Sequence, residues 1–214
     1  MDEGRTSSAM ARIVERYDPR VAPGVEVQLP DDARRIIIRG TSGSGKTTLA
    51  RRIAAARGIP HVELDGIFHQ AGWTPLSDDE FRERVASFMN DERWVVCGNY
   101  RQVAPLLLSR ADTVVLLDLP RRTVMTRVLR RSIRRATLRE ELWNGNKERL
   151  GNLFRTDPEV SIVAWTWTTH AQRHVEMGQF LAHPPRDELR LVHVTTAAQL
   201  RRLSGSLVAP RVRA

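Results

Sequence analysis

The sequence predicts a three-layer α/β fold, a parallel sheet with helices on both faces, and three observations predict it. Short apolar runs recur at RIIIRG (35–40), RWVVCGNY (93–100), DTVVLLDLP (112–120) and ELRLVHVT (188–195). They are too short for helices and too continuous for a sheet with one wet face. Segments of helical spacing separate them, and strands alternating with helices imply crossovers and parallel pairing. The first run opens into a glycine-rich stretch, GTSGSGKTT (40–48), where a strand end meets a helix start.

Taken in order, residues 1–30 form an N-terminal extension ahead of one domain over 31–214. Its first 20 or so residues read as a polar leader, followed by an alternation of Val25, Val27 and Leu29 that fits a short edge strand. Three successive isoleucines make RIIIRG a buried strand. The next helix, about 45–57, carries Leu49, Ile53 and Ala54 on one side and stops at Gly58 with Pro60 beyond. HVELD (61–65) is a second strand, and Ser77 with Glu80 caps a helix that presents Phe81, Val85, Phe88 and Met89. Pro120 opens a long helix to about Arg139, and a last helix starts near Ala197. Between them, residues 137–180 break the alternation with Trp143, Asn144, Gly145, Asn146, Trp165 and Trp167. That predicts a mobile lid around 137–160, hinged at Gly145 and Gly151 and carrying Lys147 and Arg149, followed by an added helix.

Composition narrows the partners. The chain has 34 Lys plus Arg against 25 Asp plus Glu, a net charge of +9, which favours anionic ligands without choosing among nucleotides, polynucleotides and lipids. A single cysteine, Cys97, rules out an internal disulfide and points to a reducing, cytoplasmic location. The first 30 residues hold no signal-peptide core, and no run of 18 uncharged apolar residues exists to span a membrane. No residue pattern names an oligomeric state.

The glycine-rich stretch satisfies the phosphate-loop pattern G-x-x-x-x-G-K-[ST] through Gly40, Thr41, Ser42, Gly43, Ser44, Gly45, Lys46 and Thr47, with Thr48 following. Glycines let the chain wrap closely round an anion, and free amides at the helix start then point at phosphate oxygens. Lys46 supplies a mobile charge near the terminal phosphates, and the Thr47 hydroxyl is a candidate Mg2+ ligand. ATP with Mg2+ is the expected ligand pair.

The chain resembles the nucleoside monophosphate kinase-like group of P-loop proteins, and more narrowly the adenylate-kinase-like family often labelled topology modulation proteins. The loop, ELDGIFHQAGWTPLSDDEF (63–81), RWVVCGNY, DTVVLLDLPRRTVMTRVLRR (112–131) and ELWNGNKERLGNLF (141–154) carry the resemblance over about residues 35–205. It implies a P-loop NTPase three-layer sandwich, a five-stranded parallel sheet in the order 2-3-1-4-5 and a small lid. It also implies transfer of the γ-phosphoryl group of MgATP to a nucleotide, nucleoside or other small acceptor.

Asp65, at the carboxyl end of the second strand, sits where open parallel sheets bind ligands, and its carboxylate can orient an acceptor hydroxyl or take its proton. His69 shares its face if a helical turn follows, or else is a surface histidine. Trp73 lines an acceptor pocket or simply packs. Members of the resembled family usually have an acidic residue at the position of Cys97. Cysteine is a poor Mg2+ ligand, so it reads as a core substitute, and either Asp118 or Asp65 takes over the metal contact or turnover is slow. Gly98, Asn99 and Tyr100 then place an amide and a phenol beside the acceptor. On the helix after Pro120, Arg127, Arg130, Arg131, Arg134 and Arg135 share an arc of roughly 140° at about 100° per residue. Met125, Leu129, Ile133 and Ala136 lie opposite and are expected to face the sheet. Such arginines clamp donor phosphates; Arg127, Arg131 and Arg134 are, with Lys46 and Asp65, the catalytic candidates. Trp165, Trp167 and His170 either stack a base or support the lid. The second class of reading is an ATP-dependent nucleic-acid binding or regulatory P-loop protein with weak or no transfer activity. The charge supports it, but no helix-turn-helix, zinc finger or stacking ribbon accompanies it.

Overall fold

The computed structural model describes residues 25–148, 151, 157 and 161–207. The expected leader, Arg149 and most of the 149–160 stretch lie outside the described residues. The elements are β1 (Val25–Glu26), β2 (Arg35–Gly40), α1 (Lys46–Arg57), β3 (His61–Glu63), α2 (Leu64–Phe68), α3 (Asp78–Phe88), β4 (Trp94–Cys97), α4 (Ala104–Arg110), β5 (Thr113–Leu117), α5 (Arg121–Thr137), α6 (Ile162–Ala182), β6 (Arg190–Val194) and α7 (Ala197–Ser206). Short 3-10 turns occupy Ala71–Trp73 and Trp143–Gly145.

All strand pairs are parallel, in the order β1-β6-β5-β2-β4-β3. Without the two-residue edge strand β1, this is the five-stranded 2-3-1-4-5 order. The edge strand comes from the Val25 alternation, so the sheet begins inside the stretch set apart as residues 1–30. The central strand β2 pairs Ile37 with Val96 on one side and Val114 on the other.

Side chains alternate along each strand, so the run of isoleucines feeds two cores. Ile36 and Ile38 join Cys97, Val115, Leu117 and Val194 beneath α1, the start of α5 and α7, through Leu49, Ile53, Val124, Leu200 and Leu203. Ile37 joins Val96, Val114 and Leu116 beneath α3, α4 and α6, through Phe81, Val85, Leu107, Met177 and Leu181. Burial on both faces, at about 25 cal/mol per Å² of apolar surface, is what makes a continuous apolar strand stable here.

The helix ends follow local chemistry. α1 stops at Gly58, whose φ of 61° is left-handed, and its amide caps the Ala54 carbonyl. The Ser77 hydroxyl accepts the Glu80 amide at the start of α3. Thr196 and Gln199 form a full capping box on α7.

One expected orientation is wrong. On α5 the sheet-facing stripe is Val124, Val128, Ser132 and Ala136, whereas Leu129 and Ile133 are about half exposed. The reason is the phosphate loop: Val124 and Val128 pack directly against Gly43, and that contact, not the broader apolar arc, sets the helix's rotation. Among the described residues no helix is long and apolar enough to cross a membrane.

Candidate nucleotide and acceptor site

The loop between β2 and α1 is shaped by its glycines. Gly43 has φ of 78°, and a Cβ there would lie 2.7 Å from the Val124 carbonyl oxygen and 2.6 Å from Val128 Cγ2. Only glycine fits that position. α1 has no side-chain cap, so its first-turn amides face outward into the loop, the arrangement that receives an anion. Ser44 Oγ and Thr41 Oγ1 are buried without a hydrogen-bond partner among the described residues, two further polar groups aimed into the same turn.

Lys46 is half-buried and folds back over the loop, its Nζ donating to the carbonyls of Gly40 at 2.8 Å and Thr41 at 2.9 Å. Burial lowers its pKa below the ordinary lysine value; Asp65 pulls the other way, and Arg131 and Arg173 add repulsion. Arg127 donates to the Ser44 carbonyl at 3.1 Å and Arg131 to Ser42 Oγ at 3.1 Å. Two of the three predicted arginines thus reach the loop. Arg134 does not; it turns to Glu140, as Arg135 turns to Glu148. Arg130 is exposed.

The acceptor candidates lie next to this loop. Asp65 falls in the first turn of α2, directly after β3, and Tyr100 donates to its Oδ1 at 2.6 Å. His69 Nε2 lies 3.4 Å from the same phenol oxygen, so Asp65, His69 and Tyr100 form one cluster. Burial and then the Asp65 charge push the phenol's pKa up, and burial lowers that of His69, so both are neutral near pH 7. Phe68 and Phe81 pack on the Tyr100 ring, with centroids 4.8 and 5.1 Å away, and fix it.

Thr47 Oγ1 stands 3.8 Å from Cys97 Sγ. Burial pushes the Cys97 thiol up to about 12, so it is a neutral core group beside His61 and cannot bind Mg2+ as a thiolate. Asp118 is turned away from the loop by His174, whose Nδ1 is 2.7 Å from Oδ2, and by His193 at 3.5 Å. Thr47 Oγ1 has an oxygen of the kind Mg2+ takes, and of the two carboxylates Asp65 is the one whose charge acts on Lys46 and Arg131.

Residues 141–147, within the stretch expected to form a lid, are hydrogen-bonded to the segment that carries Asp65 and His69. Trp143 Nε1 donates to Glu63 at 3.0 Å, while the other Glu63 oxygen accepts from Arg51 of α1 at 2.7 Å. The Trp143 ring fills the notch over Gly66, where a Cβ would lie 2.7 Å from it. Asn144 donates to the His69 carbonyl, and buried Asn146 bonds the Gln70 carbonyl and the Trp73 amide, both at 2.8 Å. The turn that contains Gly145, the expected hinge, thus has the side chains of both flanking asparagines, Asn144 and Asn146, hydrogen-bonded. Trp73 edges onto His69 and Trp143, so it walls this region. Trp165 and Trp167 are exposed; Trp167 is covered by Arg121, 3.3 Å from its ring centre, and His170 meets the Leu119 carbonyl.

Sequence reasoning missed a second group. Arg39, on β2 one residue before the loop, Arg173 and Glu176 line a small cleft beside Gly40 and Asn99, and the exposed Arg101 pairs with Glu176. The signal was available, because an arginine inside a run of buried strand residues needs a reason.

No family model matches the chain. A cytidylate kinase from Pyrococcus horikoshii is 29% identical over 148 residues, 60% of this chain and 76% of that protein. Another, from Nitratidesulfovibrio vulgaris, is 35% identical over 66 residues, 28% of this chain, and the match spans only 28% of its own length. A shikimate kinase from Paramagnetospirillum magneticum is 36% identical over 63 residues, 29% of this chain and 32% of that protein. Among solved structures, a shikimate kinase from Bacteroides thetaiotaomicron aligns over 82% of this chain and 97% of its own with a TM-score of 0.48 and 14% identity. With its phosphate loop on the central strand and its 2-3-1-4-5 parallel order, the chain has the fold of a P-loop kinase and is similar over part of its length to cytidylate and shikimate kinases.

Proposed function

We propose that the protein is a small-molecule kinase that transfers the γ-phosphoryl group of MgATP to a small acceptor. The observation that carries this reading is the loop with a second polar cluster at its mouth: Asp65 is held by Tyr100 with one carboxylate oxygen left for an acceptor hydroxyl. The relatives that share the loop are kinases, which supports the same reading.

In this reading Gly40 to Thr48 hold the triphosphate by backbone amides, and Lys46 leaves the Gly40 and Thr41 carbonyls to pair with phosphate oxygens. Thr47 holds Mg2+, which when bound neutralises charge on the terminal phosphates. Arg127 and Arg131, already at the loop, stabilise the charge that develops on the transferred group. Asp65 orients the acceptor hydroxyl in line and takes its proton as the bond to phosphorus forms, ADP leaving on the opposite side. Trp143 and Trp73 shield the site, which matters because water would otherwise be the acceptor. Arginines of α5 that point to the loop or to Glu140 and Glu148 do not make a continuous basic track along a nucleic-acid backbone.

The test is isotope-labelled ATP incubated with nucleosides, nucleoside monophosphates, hydroxy acids and small alcohols. Label should appear on one acceptor class and vanish in Asp65→Asn. Free phosphate alone in every incubation, unchanged by Asp65→Asn, contradicts the proposal.

A further inference from the structure

The opposite end of the sheet carries a second cleft. It has a volume of about 290 Å³ and is lined by Arg35, Ser109, Arg110, Asp112, Arg186 and Glu188. Arg35 opens β2, Ser109 and Arg110 end α4, Asp112 precedes β5, and Arg186 and Glu188 precede β6. Open parallel sheets receive their substrates at the carboxyl ends of the strands, and this cleft lies at the amino ends. Arg35 and Gly40 bound the six residues of β2, so at about 3.3 Å per residue the cleft and the phosphate loop are roughly 16 Å apart.

Helices finish at this end of the sheet, and arginines satisfy their last carbonyls. That accounts for part of the cluster. Arg110 donates to the Met89 carbonyl at 2.6 Å, after the end of α3, and Arg186 donates to the Ala111 carbonyl, after the end of α4. Both bonds are to neutral groups, so they hold the side chains in place and leave their charges uncompensated. Arg35 has less. Its Nε and that of Arg186 are buried without a hydrogen-bond partner, and none of the three arginines joins an ion pair among the described residues.

The carboxylates of the cleft do not supply the missing charge. Asp112 is occupied: it accepts the Arg34 amide at 3.0 Å, the Arg35 amide at 2.8 Å and the Thr113 hydroxyl at 2.8 Å, and it pairs with Arg190 at 3.4 Å. Glu188 is exposed. Three guanidiniums therefore share one cleft with a single uncommitted carboxylate. Gathering like charges costs free energy that an entering anion offsets.

We propose that this cleft binds a phosphate group, free or carried on a small hydroxylated ester, separately from the loop. Guanidiniums match phosphate oxygens in pairs, and arginines from three segments suit a tetrahedral dianion better than a planar carboxylate. The volume stands at the lower end of the range of about 300–1,000 Å³ for small-molecule sites, and the charged lining offers nothing for a nucleotide base to stack on. Ser109 donates to the Leu106 carbonyl at 2.7 Å and keeps its oxygen as an acceptor. With Glu188, it serves the hydroxyls of an ester, while Glu188 repels a bare phosphate. The site goes beyond the kinase reading and holds whether or not the loop transfers phosphate.

Calorimetry of the full chain tests it, with a non-hydrolysable MgATP analogue in excess to fill the loop and with inorganic phosphate and glycerol 3-phosphate as probes. Arg35→Met removes a charge without breaking a side-chain hydrogen bond. It should weaken both probes at least about tenfold, the scale of one hydrogen bond to a charged group. Lys46→Met should leave both unchanged. Glu188→Gln should tighten inorganic phosphate about two- to fivefold, the scale of one exposed charge. Tighter binding of glycerol 3-phosphate identifies the ester as the ligand, and equal affinities identify free phosphate. No binding to the native chain, binding indifferent to Arg35→Met, or loss of binding in Lys46→Met overturns the site. Should Arg35→Met fail to fold, the exposed Glu188→Gln decides: phosphate bound no more tightly than by the native chain overturns it as well.

Discussion

Lys46 shows how much of the site is built before any ligand arrives. Its ammonium already bonds two loop carbonyls, so the loop is closed on its own lysine, and on the proposed function nucleotide binding would exchange those bonds for phosphate oxygens. Lys46→Met should weaken MgATP binding by about 10- to 100-fold, the equivalent of losing a hydrogen bond to a charged group; equilibrium dialysis measures it. Tyr100 acts one step behind Asp65. Tyr100→Phe deletes only the donor to Asp65 Oδ1, and should lower kcat about tenfold with KM for ATP unchanged, as expected for a single orienting bond. A further residue-scale effect is pH-dependent. The hydrogen bond to Asp118 raises the His174 pKa above its ordinary value. Burial alone would raise the Asp118 carboxyl, but His174 and His193 outweigh it and hold it low. The Asp118 contribution is lost as pH falls through its depressed folded pKa. The His174 contribution is complete below the ordinary histidine pKa of about 6.5 and is lost as pH rises through the elevated folded value. The melting temperature of the native chain should therefore fall more between pH 6 and pH 8 than that of His174→Gln. Equal slopes would contradict the pairing.

At the scale of elements, the informative differences between pattern and structure occur where two segments meet. A helical wheel for α5 separates arginines from apolar residues correctly, yet misjudges which side is buried, because Val124 and Val128 are selected by contact with Gly43. Periodicity reports a face, and only the partner determines its orientation. The turn at 143–146 is similar. Its tryptophan, asparagines and glycine look like a hinge in isolation, but it is hydrogen-bonded to Glu63, Gly66, His69, Gln70 and Trp73, which lie 73 to 80 residues away in the chain. Asn146→Ala removes three hydrogen bonds at a buried position and should cost about 2–3 kcal/mol, read from denaturant unfolding. It should also speed hydrogen exchange at the Trp73 amide and along 64–75; unchanged exchange there would mean the two segments are not coupled.

For the whole molecule, the sheet and its order were legible because continuous apolar strands, helix stops such as Gly58 and the loop pattern are all local signals that agree. The candidate site was legible only in part. Lys46, Asp65, Arg127 and Arg131 sit where chain-local motifs place them. Glu176, Trp143 and Asn146 acquire their partners through tertiary contacts that no spacing announces. Arg134 fell on the right arc but met Glu140 first. The structure joins these pieces at the carboxyl ends of β2, β3, β4 and β5, the end of a parallel sheet where ligands are received. The central claim is that the loop from Gly40 to Thr48 grips a triphosphate with Mg2+. Calorimetric titration of ATP into the native chain, with and without Mg2+, tests it most directly. The account predicts one site per chain, tighter with Mg2+ and weakened in Lys46→Met; no heat of binding in a folded native chain, or binding indifferent to Lys46, would contradict it.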